Sequence, residues 1–542
     1  MRQNIEQAVK AALGALGAEG VSFVVERPGS MEHGDYATNA ALAAAKMLKK
    51  NPREVAEELV KELEGKIEGI KKIEVAGAGF INFTIAGNTV KDIVHQAHEK
   101  EWGSNDLYKG KTVMVEYTDP NPFKEFHIGH LMSNAIGESI ARILEGAGAK
   151  VIRANYQGDV GPHVAKAIWG KMQKPEMSWG EAYTFGSNEY EAHKEEIDAI
   201  NKKIYEGTDT EIQKLYTSGR ESSLAHFEEL YKILGTKFDF YFFESDTWPK
   251  GVATVKAHPE IFEESEGAII FRGENVGLHT RVFINKLGLP TYEAKDLGLA
   301  EVKKEKAEFD TSITITASEQ TEYFKVVMAA LMKIHPEWGG QFKHVSHGMM
   351  RFAEGKMSSR KGNVITGESL LMDLKGEAKE KMQERKLADA ERTAEQIAVA
   401  AIKYAVLRQG SGKDIVFDPE KSLSIEGDSG PYLQYALVRA RALLRNAAHA
   451  EVIPPQPAGP MPVERLIIYF PDVVERAVSE LEPHYVTTYL TQLASEFNSW
   501  YASERLIVDG KITTRALAVV KAIENTLAQG LDVLGIPAPE EM

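Results

Sequence analysis

Residues 111–157 read KTVMVEYTDPNPFKEFHIGHLMSNAIGESIARILEGAGAKVIRANYQ, and this stretch decides the fold. Lys111 to Tyr117 is a short β-branched run with few charges, the pattern of a buried parallel strand. A Pro-containing loop, TDPNPFKEF, follows it. From His127 to Gly146 the apolar residues Ile128, Leu131, Ala135, Ile136, Ile140, Ile143 and Leu144 recur at helical spacing. KVIRANY is then a second strand. Strand, helix and strand within about forty residues make a βαβ unit, so the centre of the chain is predicted to be an α/β domain with a parallel sheet.

The pattern differs on either side. Ahead of it, Ile5 to Leu16 and Ala40 to Lys50 have helical spacing, and Asn51-Pro52 starts a third helix with Pro just inside its first turn. Ile73 to Ile85, interrupted at Gly77 and Gly79, alternates at period two and reads as strands. Beyond the βαβ unit, residues of about 160–260 look helical and highly charged, as an insertion on the outside of a sheet would. Strand-rich sequence returns in FRGENVGLHTRVFINKLGLPTY, SITITAS and HVSHGMM. From Ala388 the pattern is helix after helix, broken by the Pro-rich linker Val452 to Pro462. Three parts are expected: a small α+β domain over 1–108, an α/β domain over 109–387 carrying the insertion, and an all-helical bundle over 388–542.

The chain has 542 residues and no Cys, which excludes disulfides, Cys-ligated zinc, iron–sulfur clusters and thiol nucleophiles. A net charge of −15 argues against a general nucleic-acid binder, although a local basic face can exist on an acidic protein. The amphipathic N-terminus lacks a signal-peptide apolar core. No stretch reaches the ~20 apolar residues of a membrane span. The expected location is the cytosol.

Two motifs carry chemistry. His127-Ile128-Gly129-His130 lies at a strand-to-helix junction. The first turn of a helix offers unpaired N–H groups and a positive dipole end, an anion site. Residues three apart share a face, so both imidazoles can address one ligand, and Gly129 leaves room for a nucleotide against the backbone. Such donors suit the charge that builds on oxygen at a pentavalent phosphorus. Ordinary helix-start histidines and a zinc site are the competing readings; zinc would need further ligands, with no Cys and no HExxH to supply them. The second motif is EGKMSSRKGNVI, with Lys356, Arg360 and Lys361 among Gly and Ser. A cationic loop of this kind can close over a triphosphate, although many basic loops are merely solvated.

HIGH at 127–130 and KMS at 356–358 resemble the HIGH and KMSKS signatures of class I aminoacyl-tRNA synthetases. EHGDYATNAALAAAK, AGAGFINF, VEYTDPNPFKEFHIGH, VIRANYQGDVGPH, TYEAKDLGLA, KMSSRKGN, SGPYLQYALVRAR and LDVLGIPAPEEM resemble arginyl-tRNA synthetase segments in matching order. The resemblance spans almost the whole chain. It implies a Rossmann-type class I catalytic domain with an insertion, preceded by a small α+β tRNA-binding domain and followed by an all-α anticodon-binding bundle. It implies the two-step joining of L-arginine to tRNA(Arg) with ATP and Mg2+, with no zinc, iron–sulfur cluster or organic cofactor. It also implies a monomer and a need for tRNA even in the first step. There is one departure. Ser359 stands where KMSKS has its second Lys, and Arg360 where it has its last Ser. Arginyl enzymes often lack that Lys, and one just upstream of HIGH is thought to substitute; here that is Lys124, with Arg360 and Lys361 as alternatives.

The same resemblance assigns the remaining site residues. His127, His130, Lys124, Lys356, Arg360 and Lys361 are expected to stabilise charge. Gly129, Gly158, Asp159, His347, Gly348, Met349, Met357 and Ser358 are expected near ATP, the strand-end residues Gly158 and Asp159 also fitting the rule that open α/β sheets bind ligands beyond their carboxyl ends. A guanidinium needs a carboxylate able to bind it bidentately. Tyr292 and Asp296, at i and i+4, and Glu116 are expected to face it, and Asn121 and Gln320 to hold arginine's head and side chain. Phe80 and Asn82 match positions that grip a D-loop base. Tyr432, Tyr435 and Arg439 match residues near the anticodon, with Phe497, Tyr501 and Met542 as companions; aromatic residues at helical spacing can equally be core. Rival readings are a cysteinyl enzyme, a HIGH-type nucleotidyltransferase, or a non-catalytic tRNA- or arginine-binding module derived from a synthetase.

Overall fold

The structure is a computed structural model, and it describes residues 1–353, 365–382 and 387–542. Two compact units are interleaved along the chain. One comprises 1–103, 439–473 and 492–527; the other comprises 104–438, 474–491 and 528–542.

The larger unit is built on a five-stranded sheet ordered Phe342–His347, Thr311–Ala317, Thr112–Glu116, Lys150–Gln157 and Phe240–Phe243, parallel throughout. Thr112–Glu116 is central because it is apolar on both faces: Val113, Met114 and Val115 are fully buried. The chain winds outward from it to one side through Lys150–Gln157 and Phe240–Phe243, then returns to its other side with Thr311–Ala317. That reversal creates a switch point beyond the carboxyl end of Thr112–Glu116, the place where open α/β sheets bind ligands.

The helix Ile128–Gly146 packs on this sheet. Ser133 Oγ donates to the Ile315 carbonyl at 2.9 Å and accepts the Thr118 N–H at 3.0 Å. Gly137 makes the close approach possible, since a Cβ there would fall 2.2 Å from Tyr117 Cγ. The expected insertion contains the helices Pro162–Gln173, Trp179–Asn188, Lys194–Glu206 and Thr210–Leu234 around a core of Val164, Ile168, Trp169, Ile197 and Ile200. Within the span read as helical, Phe240–Phe243 is a strand. Its aromatic run has no periodicity to separate it from a buried helix segment, and only pairing with Lys150–Gln157 decides the matter. An antiparallel sheet of Phe262–Ser265, Ala268–Phe271 and Arg281–Ile284 supports the helix Tyr292–Lys306 through Phe262, Phe271, Phe283, Ala294 and Leu297.

The smaller unit holds an antiparallel sheet ordered Val25–Glu26, Tyr36–Thr38, Phe80–Ile85 and Ile70–Ala76. Asn51 caps Pro52–Leu63 by accepting the Arg53 N–H at 2.9 Å, as the Asn-Pro signal predicts. The helix-rich sequence beyond Ala388 also contains short strands: Glu451–Ile453 pairs in parallel with Lys511–Thr513 in this unit, and Ile415–Phe417 pairs in parallel with Met350–Phe352 in the larger one. Three-residue strands are too short to leave a periodic trace.

Candidate active site

A cavity of about 510 Å³ opens at the switch point of the larger unit. Seven of the expected residues line it: Glu116, Asn121, Lys124, Gly158, Tyr292, Asp296 and Gln320. Its geometry starts from the loop between the central strand and the helix Ile128–Gly146. Thr118, Asp119 and Phe123 have φ of 79°, 45° and 71°. A β-branched residue such as Thr118 is rarely found in that region. The surroundings hold it there: Thr118 Oγ1 accepts from Asn134 Nδ2 at 3.0 Å, and Phe123 N–H donates to Ser223 Oγ at 2.9 Å. The strained loop is thereby fixed in the one shape that turns Asp119, Asn121 and Lys124 toward the cavity. Opposite it, Gly158 leaves space for the Asn121 side chain, since a Cβ would lie 2.3 Å from Asn121 Oδ1.

The floor is acidic. Glu116 is buried with the ammonium of buried Lys303 at 2.5 Å, and Glu244 is buried with Lys295 at 2.5 Å. Asp296 and Asp119 have no ion-pair partner among the described residues. Asp296 accepts from the Tyr323 hydroxyl at 2.5 Å, and Asp119 from the Tyr156 N–H at 2.8 Å. Burial pushes the Asp296 carboxyl up to about 7, against the Tyr323 hydrogen bond and with the Glu116 charge adding to the rise. The Asp119 carboxyl is raised well above its ordinary value, chiefly by burial and then by Glu116. Two half-buried carboxylates with no ion-pair partner among the described residues make this pocket complementary to a positively charged ligand. Tyr292 stands over the rim, 59% exposed, one helical turn from Asp296.

The two signature histidines do not project side by side. Their rings stack on each other with centroids 3.4 Å apart, and His130 Nδ1 accepts the His127 N–H at 3.2 Å. This leaves His130 Nε2 as a donor from a buried ring. Burial, and secondarily Lys124, lowers the His127 imidazole to about 4; burial, and then His127, lowers His130 further below its ordinary value. Both are neutral donors near neutral pH. Lys124 lies over the Tyr183 ring, 5.1 Å from its centre.

Other expected positions fall elsewhere. The Asp159 carboxylate is fully buried and used up by Tyr216, Arg220 and Ser245, at 2.7–2.9 Å, so it anchors the insertion instead of facing a ligand. His347 is buried at the end of its strand with Nδ1 2.8 Å from the Gly348 carbonyl, and both line a small cleft with Gly410–Lys413. Met349 is exposed, its N–H donating to Asp414. Lys356, Met357, Ser358, Arg360 and Lys361 lie outside the described residues. In the smaller unit Phe80 is exposed and Asn82 buried, two apart on one strand face. Arg439 lies over the exposed Tyr501 ring at 4.7 Å. Phe497 is a correction: it is fully buried and presents no face to a base. In the larger unit Tyr432 and Tyr435 are half-buried, as is Met542.

The sequence reading missed Asp119, Lys303 and Tyr323. Lys303 is seven residues beyond Asp296 and so on the same helix face, but in KKEK it resembles a solvated charge run. Asp119 had a usable signal, an acid in the loop immediately beyond a central strand.

A parallel sheet with a ligand cavity at its switch point, and HIGH capping the helix beside it, defines the catalytic domain of a class I aminoacyl-tRNA synthetase. Residues 89–419 match the family described as tRNA synthetases class I (R), catalytic domain; 1–85 match the arginyl-tRNA synthetase N-terminal domain and 433–542 the DALR anticodon-binding domain. The arginine–tRNA ligase of Ligilactobacillus salivarius is 31% identical over 567 residues, covering 100% of this chain and 99% of the relative. That of Lactobacillus delbrueckii subsp. bulgaricus is 30% identical with 100% of both covered. The arginyl-tRNA synthetase structure from Thermus thermophilus matches with a TM-score of 0.81 at 25% identity over 100% of both chains. The one from Plasmodium falciparum shares the fold, with a TM-score of 0.81 at 19% identity over 100% of this chain and 99% of that one. The chain belongs to the arginyl-tRNA synthetases.

Proposed function

We propose that this arginine–tRNA ligase uses the switch-point cavity to bind L-arginine, with the guanidinium against Asp296 and under Tyr292. The observation that carries the reading is that, among the described residues, Asp119 and Asp296 have no ion-pair partner in a cavity whose buried Glu116 and Glu244 have lysine partners. Glu116, matched by Lys303, contributes shape and field at the guanidinium end. Asn121 and Gln320 hold the amino-acid head and side chain. ATP, as its Mg2+ complex, lies along Gly129 and Gly158 toward the strand end at His347 and Gly348, with Met349 beside it.

The arginine carboxylate attacks the α-phosphorus, a new P–O bond forms, and the bond to the β-phosphate oxygen breaks to release pyrophosphate. The growing negative charge is met by the helix N-terminus, by neutral His127 and His130 as hydrogen-bond donors, and by Lys124. Lys356, Met357, Ser358, Arg360 and Lys361 are assigned to the phosphates by sequence alone. The 3′-terminal hydroxyl of tRNA(Arg) then attacks the arginyl carbonyl and AMP leaves. Positioning and electrostatics carry both steps. Phe80 and Asn82 are proposed for a D-loop base, and Tyr432, Tyr435, Arg439, Tyr501 and Met542 for the anticodon end, where unstacked bases are read by stacking and edge hydrogen bonds. By family resemblance the protein acts as a monomer in the cytoplasm.

Asp296→Ala tests the pocket. It should cost the several kcal/mol, about 3–5, of a buried charge deprived of its partner, a loss of roughly a thousandfold in arginine kcat/KM. Unchanged arginine use would refute the assignment.

A further inference from the structure

We propose that Asp119 is a further specificity-determining residue, a second carboxylate that faces the guanidinium end of arginine together with Asp296. The proposal rests on the arginine-pocket reading above and extends it to a residue of the strained loop.

Asp119 lines the cavity. Only one of its oxygens has a partner among the described residues: Oδ1 accepts the Tyr156 N–H at 2.8 Å, leaving Oδ2 for a ligand. The charged groups facing it are Glu116 on the central strand, and Lys303 and Asp296 on the helix Tyr292–Lys306. Asp119, Asp296, Glu116 and Lys303 all line the one cavity. Among the described residues Glu116 has an ion-pair partner, Lys303 at 2.5 Å, and Asp119 and Asp296 have none. A planar cation with five N–H donors is the ligand chemistry that satisfies two remaining carboxylates at once. A neutral urea of the same shape would leave both uncompensated. The left-handed φ of 45° is one that Asp adopts more readily than most residues, and it aims the side chain back at the strand ends.

The alternative is that Asp119 merely pins the loop to Tyr156. Asp119→Asn separates the two roles, since the amide oxygen keeps that hydrogen bond and the charge is lost. ATP–pyrophosphate exchange is measured with arginine and tRNA, and citrulline, the neutral isostere, is titrated as a competitor. The expected result is an arginine KM raised about ten- to hundredfold, the size of a lost charge-assisted hydrogen bond. The ATP KM stays close to wild type and citrulline inhibition changes little. An arginine KM within twofold of wild type overturns the proposal. If D119N does not turn over, arginine-dependent protection against thermal unfolding reads the same affinity: retention of the wild-type shift overturns the proposal and its loss supports it, with Asp119→Ser as the second variant. The wild-type protein and D296N run alongside. If the wild type does not use arginine, the pocket reading itself fails; if D296N alone loses arginine, only the role of Asp119 fails.

Discussion

At the scale of single residues, Asp296 couples substrate binding to pH. Its carboxyl is pushed up to about 7 by burial, so below that pH a proton occupies the place of the guanidinium. Arginine must displace it, and the bound cation pulls the carboxyl back down. Affinity therefore rises with pH up to about 7 and levels off above. The arginine KM should fall by up to tenfold per pH unit on the acid side, and Asp296→Asn should raise KM and reduce that slope, leaving the part that the raised Asp119 carboxyl contributes. An acid-side slope unchanged in the variant would assign the proton to another group. Gly158→Ala makes a second residue-scale prediction. The added Cβ would lie 2.3 Å from Asn121 Oδ1 and displace it. A misplacement of about 1 Å can cost roughly a hundredfold, so kcat/KM for arginine should drop by about that factor with little change in Tm. That Tyr292 and Asp296 share a face followed from their i, i+4 spacing on a helix, whereas their assignment to arginine came from the family resemblance. The fate of Asp159 was not legible: its partners Tyr216, Arg220 and Ser245 come from distant segments, and no local pattern reveals that all its acceptors are taken.

At the scale of elements, the helix Ile128–Gly146 matters for where its first turn points. It is held by Ser133 between Thr118 and Ile315, and by the close contact at Gly137. Gly137→Ala should overpack this contact at a cost of about 1–3 kcal/mol. The expected readouts are a lowered Tm and a reduced exchange rate, because the helix N-terminus moves with the strand it rests on. An unchanged Tm would mean that the helix shifts freely and that its register does not set the site. The βαβ core could be read from residues 111–157 since strand and helix periodicities there are unmixed. Phe240–Phe243 could not, because a four-residue aromatic run becomes a strand only through pairing with Lys150–Gln157.

On the whole-molecule scale, the last segment of the chain is part of the catalytic unit. Ser139 Oγ on the signature helix donates to the Val533 carbonyl at 2.9 Å, and Gln434 Nε2 to that of Pro537 at 2.6 Å. The buried Lys403 ammonium donates to the carbonyls of Leu234 and Gly535, each at 2.7 Å. Burial lowers that ammonium to about 8 and the Glu138 carboxylate opposes the fall, while its N–H donors are satisfied by the two carbonyls. Deleting residues 534–542 should remove one of them and destabilise the unit by about 1–3 kcal/mol, seen as a lower Tm. No deletion effect would show that the tail is only draped on the surface. Within the described residues no helix is long and apolar enough to cross a membrane. ATP–pyrophosphate exchange with arginine on the purified protein, run with and without tRNA(Arg), is the decisive measurement. Exchange is expected with arginine when tRNA is present and none without it. Absence of exchange in both conditions, with tRNA still bound, would contradict this reading and leave a non-catalytic binding protein.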